Sequence, residues 1–307
     1  MRLATIDIGT NSILLLVVDL SAEGDARVLE DRCRIERLGH GVDRTGLLDD
    51  ASIQRALEAL REYAGVIRAH DVDTVAAVAT QALREVRNGV KFLGPAQEIL
   101  GAPVEVITGR REAELAFRAV MQSFPQLSEG PLVVCDIGGG STELIVGRQG
   151  VVESLVSLPV GSVRMTERFL SSDPPSTDQA HDMIRRIDEE LAKAPLPGPA
   201  PLVGVAGTVT TLAAVSIGLE PYEADRVQGM RLRSTEVERQ VGEYLRLPVA
   251  KRRKMKGLEP KRADVIPAGA AILARVMARM GAREVIVSDR GIRWGLALER
   301  ASIPRRS

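Results

Sequence analysis

VVCDIGGGSTELIV, residues 133–146, decides how this chain folds. An apolar run ends on the carboxylate of Asp136. Gly138, Gly139 and Gly140 follow, then Ser141 and Thr142, then a second carboxylate, Glu143. Leu144, Ile145 and Val146 lead on to Gly147. The pattern predicts strand, tight turn, strand. Glycine permits positive φ and lets backbone N–H groups come close to a ligand. Converging N–H groups make an anion nest, and the hydroxyls of Ser141 and Thr142 add donors. Carboxylates on both sides of such a nest suit a hydrated Mg²⁺ that bridges to phosphate oxygens. The expectation is a phosphate site with a divalent cation held by Asp136 and Glu143. The plain alternative is an ordinary Gly-rich β-turn; three adjacent glycines with acids at both ends weigh against it.

Neither common glycine fingerprint fits. A P-loop needs a lysine after the glycines and a helix behind them, and a Rossmann fingerprint needs G-x-G-x-x-G opening a helix. Here β-branched and apolar residues follow, so the chain continues as a hairpin. Residues 4–18, ATIDIGTNSILLLVV, repeat the layout. Asp7, Ile8, Gly9, Thr10, Asn11 and Ser12 correspond to Asp136, Ile137, Gly138, Gly139, Gly140 and Ser141. Two such hairpins, each opening half of the chain, imply a duplicated α/β fold. The expected arrangement is two similar lobes, residues 1–124 and 125–307, with facing phosphate loops and an active-site cleft between them.

At 307 residues, two domains are the prior. A formal net charge of zero argues against bulk attraction to nucleic acid or to a membrane surface. The first predicted strand begins directly after Met1 and Arg2, with no leader in front of it, and no apolar run approaches the length of a membrane span. Cys33 and Cys135 lack metal-ligand spacing, and a reduced, cytoplasmic protein fits them best. The three histidines, His40, His70 and His181, lie outside the glycine-rich motifs, so histidine-based catalysis is a poor expectation.

Between the hairpins, the chain alternates strand and helix. Residues 27–38 read as a third strand. Asp49 or Asp50 caps a helix reaching about residue 69, with Ile53, Ala56, Leu57, Leu60, Ala64 and Ile67 on one face. Arg84 follows the strand 73–79. It can bind a phosphate bidentately, although by position alone a solvated helix arginine is the plainer reading. Glu112 sits in the first turn of a helix opened by Thr108 and Gly109, just past the strand 104–107. Ligands of open α/β sheets bind at that edge, where a carboxylate can deprotonate a water. Acids also favour helix N-termini through the macrodipole, and the pattern does not separate the two readings. The polar segment 124–131 is the expected interdomain connection.

In the second half, residues 151–160 read as strand, 162–170 and 178–194 as helices and 202–206 as a short strand. Gly207 and Thr208 then open a helix, as a phosphate contact or as a plain cap. Residues 251–262 hold seven basic residues against one acid, Glu259. Such a run is usually a solvated face; it can also be a wall for a long polyanion. A helix over 263–280, a strand over 283–287 and a closing helix from about 296 to 300 complete the chain, with 303–307 expected to fray.

Six motifs together resemble the exopolyphosphatase/guanosine pentaphosphate phosphatase family: DIGTNS at 7–12, TQALR at 80–84, GRREAEL at 109–115, DIGGGSTEL at 136–144, GTVTTLAA at 207–214 and SDRGIRWG at 288–295. That family belongs to the superfamily of acetate kinase, sugar kinases, Hsp70 and actin, whose two lobes are ribonuclease H-like. The resemblance implies hydrolysis of a terminal phosphoanhydride, of inorganic polyphosphate or alternatively of pppGpp. It makes Glu112 the catalytic base. It links Asp136 and Glu143 to Mg²⁺ and the attacking water. Asp7, Thr10, Asn11 and Ser12 become the first phosphate loop, and Gly138 to Ser141 the second. Arg84 becomes an arginine near the terminal phosphate, which reverses the plainer reading of it. Readings from other classes are a kinase or ATP-driven switch on the same fold and a non-catalytic polyphosphate-binding protein.

Two departures from the family pattern stand out. Arg111 replaces the acid that often precedes the base, which favours an ionised Glu112. The sequence also stops after the second lobe, without the further helical region of long members, so the expectation is curtailed processivity on long chains. Polyphosphate and pppGpp are both candidate substrates, and a homodimer would pair through the second lobe.

Overall fold

The computed structural model describes residues 1–20 and 26–301; the tail expected to fray lies outside them. Strands β1 (Arg2–Ile8), β2 (Ser12–Leu20), β3 (Ala26–Ile35), β4 (Thr74–Ala79) and β5 (Val104–Val106) form the first sheet, in the order β3-β2-β1-β4-β5. The first three are antiparallel, and β1, β4 and β5 are parallel. The helices of this part are α1 (Val42–Thr45), α2 (Asp50–Ala69), α3 (Gln81–Arg84), α4 (Val90–Leu100) and the start of α5 (Gly109–Ser123).

β1 shows why the sheet needs helices on both faces. Ala4, Ile6 and Ile8 pack with α2 and α4 into one apolar cluster, while Thr5 and Asp7, on the alternate face, are also buried. A strand covered on both sides reads as a continuous apolar run, which is what residues 3–8 nearly are. Helix α2 starts where its cap predicts: the Asp49 side chain accepts from Ser52 N at 2.9 Å.

The second sheet has β6 (Pro131–Ile137), β7 (Thr142–Arg148), β8 (Val151–Leu158), β9 (Leu202–Val205), β10 (Arg231–Arg233) and β11 (Glu284–Val287), in the order β10-β11-β9-β6-β7-β8. Read from β8, it repeats the first sheet: three antiparallel strands, then two more parallel to the innermost, with β10 added antiparallel at the edge. Even the irregularities correspond. β2 slips register at Val17/Val18 and β7 at Val146/Gly147, at the same remove from Asp7 and Asp136. The duplication expected from the two glycine hairpins is therefore present strand for strand, and the chain has the duplicated ribonuclease H-like, actin-like α/β fold.

The helices here are α6 (Ser162–Phe169), α7 (Thr177–Leu191), α8 (Ala206–Ser216), α9 (Ala224–Val227), α10 (Ser234–Arg246), α11 (Val249–Arg252) and α12 (Ile266–Met280). The sequence reading assigned nothing to α10. Its buried side chains include only two large hydrophobic-type residues, Val237 and Tyr244, with Gln240 between them. Gln240 is satisfied by donating to Leu212 O at 3.0 Å and accepting from Tyr244 OH at 2.7 Å.

The last helix, α13 (Ile292–Ala301), departs from the expected domain boundary. By packing, one unit comprises residues 1–115 with 292–307, and the other residues 116–291. The division falls inside α5 rather than at residue 124, and α13 joins the first unit. It also begins four residues earlier than the expected 296, because Ile292, Trp294 and Leu296 are buried and pull the first turn into the helix.

Candidate active site

Each unit carries its glycine hairpin at the carboxyl end of its first strand. In the first, Gly9 N donates to Ser12 O at 2.9 Å. In the second, Gly138 N donates to Ser141 O at 3.0 Å. The two turns are thus closed by the same hydrogen bond. Among the described residues, no protein acceptor meets the N–H groups of Thr10 and Asn11, or of Gly139 and Gly140. Open N–H groups converging at a turn can cradle an anion. The side-chain Oδ1 and Nδ2 of Asn11 and Oδ1 of Asp7 are buried without partners. Burial raises the Asp7 carboxyl from its ordinary 3.8 to about 7, against the opposing pull of the Arg293 charge.

The second hairpin is held from behind. Gly138 O accepts from Ser162 N at 3.0 Å, and Gly139 O from Val163 N and Arg164 N at 2.8 and 3.1 Å. Arg164 Nε donates to Gly140 O at 2.9 Å. The turn's carbonyls are thereby tied to the start of α6. Gly161 makes this approach feasible, because a Cβ there would lie 2.4 Å from the Gly140 carbonyl carbon.

Asp136 and Glu143 are register partners on adjacent strands. Their side chains therefore share a face, with Cβ atoms about 5 Å apart, and like charges so placed repel. Both are buried. Glu143 Oε1 accepts from Ser141 Oγ at 2.8 Å and from Ser157 Oγ at 2.6 Å, which fixes its rotamer. The donor set fits a divalent cation: two oxygen ligands whose mutual repulsion a cation would remove. Among the described residues, no three His, Cys, Asp or Glu side chains cluster tightly enough to cage a metal alone. Mg²⁺ commonly takes one or two carboxylates and completes its shell with water and substrate phosphate.

In the first unit the structure brings Arg84 and Glu112 together. Arg84 ends α3, directly after β4, and its guanidinium donates to the Glu112 carboxylate and to Ile107 O, the latter at 2.7 Å. Glu112 is 5 % exposed and lies in the first turn of α5, where Glu112 N donates to Thr108 O at 3.0 Å. Arg84 is thus neither a solvated helix residue nor aimed at open space. Arg111, the departure from the family pattern, is directed away to Glu299.

Gly207 and Thr208 follow β9 inside the first turn of α8, and neither caps it. Ala206 before them has φ 69°, a left-handed conformation that costs a non-glycine residue. Such strain concentrates at functional turns. The Arg262 guanidinium lies directly against Gly207. Arg262 and Arg164 are the residues that the sequence reading missed. No motif marks either one; the fold brings Arg164 onto the Gly140 turn and Arg262 against Gly207 in the first turn of α8. The basic run also needs correction. Lys251, Arg253, Lys254 and Lys256 are exposed, but Arg252 is buried, 3.4 Å from Asp173, and does not belong to the charged face.

A duplicated actin-like fold with open N–H groups at both glycine turns is a scaffold suited to phosphate. The chain belongs to the Ppx/GppA phosphatase family, whose model matches residues 17–302. It is 38 % identical to exopolyphosphatase 2 of Mycobacterium tuberculosis, over 98 % of both chains. Among solved structures, the Aquifex aeolicus member of the family matches with a TM-score of 0.82 at 35 % identity, covering 98 % of this chain and 97 % of that one. An exopolyphosphatase from Cytophaga hutchinsonii matches with a TM-score of 0.89 at 26 % identity, over 98 % of both.

Proposed function

We propose that the protein is a Mg²⁺-dependent exopolyphosphatase, hydrolysing the terminal phosphoanhydride of inorganic polyphosphate and releasing orthophosphate. The observation that carries this reading is the half-buried Arg84 guanidinium paired with the buried Glu112 carboxylate in the first turn of α5. A phosphoryl-transfer kinase has to keep water out; a buried carboxylate beside an arginine is what a hydrolase needs to hold a water for in-line attack. Whole-length similarity to a named exopolyphosphatase supports the same choice.

Each group has a distinct role. The open N–H groups of Gly139 and Gly140, with Ser141, take phosphate oxygens; Thr10, Asn11 and Ser12 do so on the first hairpin, beside Asp7. Gly207 and Thr208, with Arg262 above them, hold a phosphate further from the reacting one. Arg84 divides its donors between Glu112 and the terminal phosphate, keeping the carboxylate oriented while it neutralises the phosphate. Glu112 accepts the proton of the attacking water. Asp136 and Glu143 would hold the divalent cation, which when bound supplies charge neutralisation on the phosphate oxygens. The exposed basic strip of Lys251, Arg253, Lys254 and Lys256 is suited to the remote part of a polyanion. Neither Cys33 nor Cys135 is in a disulfide among the described residues, which accords with a cytoplasmic location. Among the described residues, no helix is long and apolar enough to cross a membrane.

The test is phosphate release with Mg²⁺ from short polyphosphate, long polyphosphate and pppGpp side by side. Release from polyphosphate is expected, and Glu112→Gln should reduce kcat about 10³-fold while substrate still binds. Release from pppGpp alone would make the protein a pentaphosphate phosphohydrolase with the same chemistry. Near-normal turnover in Glu112→Gln would remove the carboxylate from its role.

A further inference from the structure

The motif at residues 288–295 has no part in the reaction as proposed, yet it opens the helix that joins the first unit. Helix α13 lies on the face of the first sheet that bears Thr5 and Asp7. Thr5 Oγ1 donates to Arg293 O at 2.9 Å. Arg293 is buried and places its guanidinium on Asp31 of β3. Thr5, Leu16 and Asp31 are register partners across β1, β2 and β3, so they form one row on that face. Asp7 is the next residue of β1 on the same face, about 7 Å along. Arg293 therefore sets a fixed positive charge beside the row that carries Asp7, in keeping with its pull on that carboxyl.

The same helix reaches α5. A Cβ on Gly295 would lie 1.9 Å from Leu115 O, so the two backbones are in direct contact. One turn further on, Glu299 receives the guanidinium of Arg111, the residue next to Glu112. Leu115, Ile292 and Leu296 close the joint with Ile107, Ala76 and Val78. The first turn of a helix has fewer backbone restraints than its interior, and this one bears the candidate base.

We infer that α13 is a brace that fixes the first-hairpin carboxylate Asp7 and the base Glu112 relative to one sheet, through the pairs Arg293–Asp31 and Arg111–Glu299. This rests on the roles proposed above for Asp7 and Glu112. The four paired side chains are positioning residues. They act by holding reacting groups in place, and misplacement by about 1 Å can cost about 10²-fold in rate. Arg111, where an acid often stands, is accounted for as one member of the pair on the Glu112 side of this brace.

The test uses Glu299→Gln, the charge swap Arg111→Glu/Glu299→Arg, and Asp31→Asn. Two readouts are taken: kcat and KM for phosphate release from short polyphosphate, and amide hydrogen exchange of residues 109–115. Glu299→Gln should lower kcat about tenfold with KM within twofold, and speed exchange in that segment. The swap should recover both. Asp31→Asn should lower kcat about threefold at unchanged KM. An unchanged kcat in Glu299→Gln, or a swap that recovers neither readout, overturns the brace; an unchanged kcat in Asp31→Asn removes its Asp7 half. If the wild-type chain releases no phosphate from polyphosphate or pppGpp, the proposed reaction falls and exchange alone decides. Faster exchange in Glu299→Gln that the swap reverses then sustains the brace, and unaltered exchange overturns it.

Discussion

The two glycine hairpins share a backbone plan but not their flanking side chains. Both are closed by a Gly N to Ser O hydrogen bond, and both leave two N–H groups open. Across from Asp136 stands Glu143, whereas across from Asp7 stands Leu14. The second hairpin is therefore a paired-carboxylate site suited to a cation, and the first has a single acid whose burial favours its protonated form. Their supports differ as well. The second turn is all glycine and is pressed onto α6, while Thr10 and Asn11 of the first are held by the loop at Arg37 and Gly39, whose N–H groups donate to Asn11 O and Thr10 O at 2.9 Å each. Duplication preserved the hydrogen bond that closes each turn; divergence occurred in the residue opposite the acid and in what holds the turn's carbonyls.

The contrast breaks most readily at Glu143. Glu143→Gln should lower kcat about 10³-fold and raise the Mg²⁺ concentration needed for half-maximal phosphate release; an unchanged metal dependence would leave the two hairpins equivalent. Asp7→Asn should reduce phosphate release about 10²-fold but have the opposite sign for stability. Because the folded chain keeps the Asp7 proton up to about pH 7, while an unfolded chain releases it near 3.8, stability is lost as pH rises through that window and remains reduced above it. The neutral variant should therefore be more stable than wild type at pH 8, by up to roughly 4 kcal/mol, with little gain at pH 4. Thermal unfolding in EDTA at the two pH values measures this, and an equal gain at both would exclude the titration.

Smaller effects separate the supports. Gly161→Ala forces a Cβ into the Gly139–Gly140 backbone and should destabilise by about 2 kcal/mol. Gly9→Ala meets Ser12 O at 3.1 Å and Thr80 Oγ1 at an ordinary 3.9 Å, and should cost less in the same denaturant titration. Smallest of all, replacing Lys251, Arg253 and Lys254 with glutamine should raise KM for long polyphosphate severalfold and leave short chains unaltered. Equal effects on both would make that strip a solvated face only.

The duplication was legible because hairpin chemistry is local. A carboxylate, a glycine turn and an apolar strand are contiguous in sequence, and the strand pairs they predict are present. What stayed hidden depends on contacts between distant segments. Arg262 reaches Gly207, Arg164 reaches Gly140, and α13 reaches β1, and no periodicity announces any of these. Arg252 shows the opposite failure: its neighbours in sequence suggested a charged face, but the pocket beside Asp173 took its side chain. Helix α10 escaped because Gln240 stands where an apolar residue would have marked the buried stripe.

The return of α13 also has a consequence for synthesis. The first unit holds the amino-terminal hairpin, yet its last helix comes from the far end of the chain, after all of residues 116–291. At ribosomal speeds of about 5–20 residues per second, the early sheet waits on the order of ten seconds or more for Arg293 and Glu299 to emerge. Once β11 has emerged the second unit can complete its own sheet, while the face bearing Thr5 and Asp7 still lacks α13. The nascent chain thus acquires its parts out of order: the hairpin translated first is the one finished last.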